Sequence, residues 1–205
     1  MNEFFEPPPP PEPPDHHEHR RPPWFGPPDN ELGVAVPVRL EIVRTENLVV
    51  AVLDPVAFST GCTFDLAVRH RSRKEGGSPI HAFHPPGEWR PDALHFGLQF
   101  ADGKKATADQ EMWRRGPDDP PKGPLLMPHG GGGGARRWDM NMWLWPLPPP
   151  GPLAFVCEWQ AEGIALTRRE VDAGAILDAA GRVEQLWPDG DGDAGEISVT
   201  VLGRD

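Results

Sequence analysis

Hydrophobic and polar residues alternate along much of this chain. Val34, Val36, Val38, Leu40 and Ile42 share one parity, and Ala35, Pro37, Arg39 and Glu41 take the other. A period of two places successive side chains on opposite faces of a strand, so this stretch predicts a half-buried β-strand. Pro37 has no N–H to give to a ladder, which predicts an edge strand or a break at that point. Cys62, Phe64, Leu66 and Val68 repeat the pattern, as do Phe96, Leu98 and Phe100. Leu153, Phe155, Cys157 and Trp159 repeat it again, with Glu158 and Gln160 on the other parity.

Turn chemistry separates these runs. Thr45-Glu46-Asn47, Ser59-Thr60-Gly61 and Ala101-Asp102-Gly103 predict tight turns, and Asp54-Pro55 predicts a break or bulge inside the apolar run that starts at Leu48. Residues 69–91 read as a polar loop. Residues 107–134 read as a long excursion in which Gly130–Gly134 serve as a flexible connector, since ordering five glycines is entropically costly. Trp138–Trp145 predicts a strand that pairs with Leu153–Trp159 across a Pro-Gly corner, and Leu166–Val171 predicts a last strand. Asp172 is a good N-cap for a helix over Ala173–Leu186, with Ile176, Leu177, Ala180, Val183 and Trp187 on one face. Ile197, Val199 and Val201 alternate near the end.

Composition sharpens this picture. The 28 prolines and 23 glycines are concentrated, with prolines crowding residues 6–28. Prolines 7–11 exclude both helix and sheet, so residues 1–31 read as a disordered or polyproline II acidic arm, with Trp24 and Phe25, framed by prolines on both sides, expected to dock back on the domain at its entry point. The net charge of −11 lives on the ends: residues 1–31 and residues 184–205 each carry a net −5, leaving about −1 between them. That distribution reads as solvation rather than a field that draws in a substrate, and its sign disfavours duplex nucleic acid. No secretory signal and no transmembrane run is visible, and two cysteines make no disulfide scaffold, so a cytoplasmic, reduced setting is expected.

Candidate chemistry is sparse. Cys62 and Cys157 fall on the core parity of separate strands, where an immunoglobulin-type bridge would sit, but two buried thiols are the preferred reading. Asp15-His16-His17-Glu18-His19 has metal-ligand side chains in an arm that does not preorganise them. His81, His84 and His95 lack the spacing of a zinc helix, and Asp189, Asp191 and Asp193 start an EF-hand pattern that fails at Ala194 and Thr200. The glycine run followed by Arg136 and Arg137 lacks the Lys-Ser/Thr of a phosphate loop, though those arginines and the amides beside them suit an anion. The basic run Arg69–Lys74 reads as a solvated hairpin end. No nucleophile elbow or dinucleotide fingerprint is present.

The segments Leu94–Phe100 and Trp138–Trp159, with FADGKKAT and GGGGARRWD, resemble an uncharacterised family of actinobacterial proteins. The resemblance covers most of residues 23–188. That family has no assigned activity, so it implies no site residues.

These readings predict an all-β chain: an antiparallel immunoglobulin-like β-sandwich of about seven strands over residues 32–187, with a short C-terminal helix, a disordered Pro-rich arm (1–31) and an acidic tail (188–205). The expected function is a non-enzymatic intracellular binding or adaptor module acting on another protein through loops, a sheet edge and the Pro-rich arm. Trp24, Arg136, Arg137, Trp143 and Trp145 are the expected contact residues, the tryptophans as exposed anchors, and no cofactor or metal is expected. The first alternative is an enzyme or small-molecule binder in which His81, His84, His95 and Asp139 converge. The second is a structural subunit that forms a homo-oligomer.

Overall fold

In a computed structural model, residues 22–72, 90–108 and 120–187 are described. The proline run, the Asp15–His19 cluster, His81, His84 and the EF-hand-like acids lie outside the described residues. Among the described residues the chain forms β1 (Glu31–Leu32), β2 (Val34–Ala35), β3 (Leu40–Arg44), β4 (Leu48–Ala57), β5 (Cys62–His70), β6 (His95–Gln99), β7 (Lys105–Thr107), β8 (Leu125–Gly134), β9 (Arg137–Trp145), β10 (Pro152–Trp159), β11 (Ile164–Asp172), α1 (Gly174–Ala180) and β12 (Glu184–Gln185). All strand pairs are antiparallel.

Two sheets pack face to face. The larger runs β2-β4-β5-β9-β8, with β3 also on β4, and the smaller runs β11-β10-β6-β7. The alternation read from the sequence decides which side of each strand is buried: Cys62, Phe64, Leu66 and Val68 face Phe96, Leu98, Leu153, Phe155 and Cys157 in one core. Phe64 is central, with its ring centroid 6.1 Å from Phe96 and 5.7 Å from Phe155. Burying such a ring stabilises by about 1.5–3 kcal/mol. The core holds a cavity of about 10 Å³ lined by apolar side chains and the Cys62 thiol, a volume at the lower limit for one water and without polar partners to hold it.

Local chemistry explains the strand breaks. Pro37 falls between β2 and β3, which pair with different halves of β4. The ladder of β4 on β5 slips between Leu53 and Val56, where Asp54 takes φ 50°. Asp is among the few residues that adopt this left-handed region without severe cost. The Thr45 hydroxyl accepts from the Leu48 N–H at 3.0 Å and closes the β3–β4 hairpin.

Four expectations are corrected. Gly130–Gly134 is not a connector: it is the second half of β8, paired residue for residue with Asn141–Arg137 of β9. The ladder bonds to β9 offset the entropy that argued for a flexible loop. A Cβ at Gly133 would sit 2.0 Å from the Arg137 carbonyl oxygen, so that position needs glycine for close backbone approach. Leu153–Trp159 does not pair with Trp138–Trp145; the Pro-Gly corner carries the chain into the other sheet, where β10 lies between β6 and β11. The helix ends at Ala180, so Val183 and Trp187 are not on it. Its N-cap is Ala173 rather than Asp172, and Asp172, one residue earlier, accepts the Gly174 N–H at 3.0 Å. Trp24 and Phe25 dock on the domain, as their place at its entry point predicts. They pack on the outer face of the larger sheet, and β1 pairs with β12. Twelve strands are present among the described residues rather than about seven.

Candidate functional site

Two places on the outer face of the larger sheet gather the contact residues expected from the sequence. The first lies where β5 begins and β9 ends. There the parity opposite to the main core carries Leu125 and Met127 from β8 and Trp143 and Trp145 from β9. Phe58, at the β4–β5 turn, meets Trp143 edge to face at 5.9 Å. The segment Pro22–Pro28 crosses this patch and brings Trp24 onto Trp145, also edge to face at 5.9 Å. The result is a second, smaller core outside the sandwich.

Trp143 is therefore not an exposed anchor. It is fully buried (0 %), because the strap and Phe58 cover a side of the sheet that would otherwise face water. Its six-membered ring lies over Gly61, where a Cβ would come within 2.7 Å of it. Trp24 and Trp145 are half-buried. The buried indole nitrogens of Trp24 and Trp143 and the Thr60 hydroxyl have no hydrogen-bond partner among the described residues.

The second place is the opposite end of the same face. Asp139 accepts from Arg69 at 2.5 Å and from Arg137 Nε at 2.7 Å. Burial is the largest single influence on the Asp139 carboxyl and pushes its pKa up. The hydrogen bonds from Arg137 and Arg69, with their charges, together outweigh it and hold the carboxyl below its usual range. Arg136 is exposed in the β8–β9 hairpin. Gly132 and Gly134, opposite Asp139 and Arg137, have open space where side chains would be.

Of the remaining candidates, His81 and His84 lie outside the described residues. His95 lies on the outer face of the smaller sheet, opposite Glu158, while Asp139 lies on the outer face of the larger one. The whole core separates them, so the reading that joined them in one pocket is overturned for this pair. Among the described residues no group of three His, Cys, Asp or Glu side chains could hold a metal ion, and no helix is long and apolar enough to cross a membrane. Cys62 and Cys157 are free thiols, each pushed up to about 12 by burial.

Sequence reasoning missed two features. Glu31, the one buried charged side chain among the described residues, accepts from the Ser59 N–H at 2.9 Å and from the Ser59 hydroxyl at 2.5 Å, and pins β1 to the β4–β5 turn. The β1–β12 ribbon exposes Leu32 (69 %) and Trp187 (64 %). Nothing local distinguishes Glu31 from the other acids of the arm. No family model, no curated protein and no solved structure matches this chain.

Proposed function

We propose that this chain is a non-enzymatic binding or adaptor module of immunoglobulin-like build, working in the cytoplasm on another protein through a sheet edge. The strand order supports the finer fold reading. Taking β4, β5, β9 and β8 as A, B, E and D, and β11, β10, β6 and β7 as G, F, C and an added C′, reproduces the immunoglobulin layout. The hallmarks depart from it: Cys62 and Cys157 are unbonded, Phe96 stands on the C-like strand in place of Trp, and the chain has no Tyr for a tyrosine corner. Free thiols suit a reduced compartment.

The carrying observation is β8. Exposed sheet edges are normally blunted, and the other edges here are. Pro37 interrupts the β2–β3 side, β7 has three residues, and β11 carries Arg168, Arg169 and Glu170. The half of β8 from Gly130 to Gly134 is exposed, uncharged and without side chains. Its outward N–H and C=O groups can accept an extended strand of a partner, with main-chain bonds supplying affinity and Arg136 and Arg137 favouring an acidic one.

Gly132→Lys tests this, since space is open there and an edge lysine blocks strand addition. The full chain captures its partner from native lysate, and the variant, with a melting temperature no lower, captures at least tenfold less. Equal capture by both removes the edge reading.

A further inference from the structure

We propose that the aromatic patch of Phe58, Trp143 and Trp145 is a seat for a proline-rich peptide of a partner protein, held closed in this structure by the proline-flanked turn of Pro22–Pro28 acting as a ligand in cis. The inference rests on the binding-module reading but on a different surface from the β8 edge.

The chemistry of the present occupant is the first argument. Pro22, Pro23, Pro27 and Pro28 flank Trp24-Phe25-Gly26, and the segment lies on an aromatic-lined patch of a sheet. The segment turns between Pro22 and Phe25, and proline-rich chains suit aromatic seats because proline fixes φ, so they lose little entropy on docking.

The second argument is how the strap is held. Among the described residues its one backbone hydrogen bond is internal, from the Phe25 N–H to the Pro22 carbonyl at 2.9 Å. Side-chain packing centres on Trp24 against Trp145. The strap fills the seat but, among the described residues, gives the sheet no acceptor.

The third argument is what the strap leaves undone. Trp143 is fully buried, yet its indole N–H finds no acceptor among the described residues, and neither does that of Trp24; the Thr60 hydroxyl, one residue from the Gly61 that Trp143 covers, is likewise without a partner among them. Buried indole N–H groups usually do have partners, and leaving one unmade forfeits its hydration. A proline-rich chain exposes unpaired backbone carbonyls along its length. A peptide that places one carbonyl at the Trp143 Nε1 gains a bond the strap does not make. A tethered strap competes at an effective concentration on the order of millimolar, so a free peptide of equal intrinsic affinity displaces it only at millimolar concentration.

The probe is a synthetic peptide of residues 22–28, Pro-Pro-Trp-Phe-Gly-Pro-Pro, titrated into the full-length chain by calorimetry and by following the Trp143 indole N–H resonance. Trp24→Ala loosens the strap. The expected result is one-to-one binding to the Trp24→Ala chain, at least tenfold tighter than to the unsubstituted chain. The Trp143 indole proton resonance shifts on binding. A peptide with all four prolines replaced by alanine binds at least tenfold more weakly. Absence of binding by a folded Trp24→Ala chain, binding that leaves the Trp143 resonance unmoved, or equal binding of the alanine peptide overturns the proposal. Where Trp24→Ala loses its near-ultraviolet dichroism, the unsubstituted chain decides: a saturable Trp143 shift at millimolar peptide supports the seat, and no shift overturns it. Gly132→Lys leaves every arm of this titration unchanged, which separates failure here from failure of the edge reading.

Discussion

Phe64 of β5 and Phe155 of β10 meet edge to face across the two sheets, with ring centroids 5.7 Å apart. The contact fixes how the sheets lie on each other. Cys62 comes two residues before Phe64, and Cys157 comes two residues after Phe155. His70, further along β5, meets Trp159, further along β10, so the two strands run the same way past one another. The thiols are offset by about four residues of strand, on the order of 13 Å. A disulfide needs Cα atoms within about 7 Å. The bridge suggested by their shared core parity is therefore excluded by register.

Phe64→Ala removes the ring that touches both Phe96 and Phe155. The space it leaves adjoins the existing core cavity, so the site has little to collapse onto it. The expected cost is about 3–5 kcal/mol, read as the shift in a urea or thermal unfolding midpoint. A loss below about 1 kcal/mol would show that the sheets are not joined through this residue.

Both thiols are buried and raised to about 12. The thiolate is the reactive form, so neither cysteine reacts with a thiol reagent in the folded chain at pH 8. In denaturant without reductant, two thiols titrate. Mass spectrometry after alkylation under the two conditions checks both halves; a count of zero in denaturant contradicts the structure.

Asp139 links stability to acid. Its folded pKa lies below the usual 3.8. The stabilisation is fully present above the unfolded pKa and is lost as pH falls through the folded value. Asp139→Asn is expected to lower stability by about 1 kcal/mol at neutral pH, a modest figure because Arg137 is exposed. Melting temperatures of both forms from pH 7 to pH 3 give the test. The gap stays constant above about pH 5 and narrows below about pH 4. A gap that widens on acidification refutes the assignment.

Neighbouring glycines of β8 separate packing from entropy. Gly132→Ala meets open space, so it stabilises by about 0.5–1 kcal/mol through the unfolded chain. Gly133→Ala places a Cβ 2.0 Å from a β9 carbonyl oxygen and destabilises by more than that gain. Opposite signs in chemical denaturation are expected. Equal effects would mean that residues 130–134 are not held against β9.

The strands and most turns of this protein are local properties, and the residues alone determined them. Alternation at Cys62–Val68 and Leu153–Trp159 needs only a pleated backbone with one wet side, and Pro37, Asp54-Pro55 and Gly181 act on their own torsions and donors. Partnering is not local. Whether Leu153–Trp159 lies beside β9 or beside β6 depends on which arrangement hides more apolar surface over the whole chain, and no window of sequence holds that comparison. The same limit governs Gly130–Gly134, where conformational entropy argued for a connector until bonds to Arg137–Asn141 were in place. It governs Trp143-Leu144 most clearly. Both are fully buried on opposite faces of one strand, and only the fold of Pro22–Pro28 back over the outer face, more than a hundred residues earlier in the chain, made a second interior there.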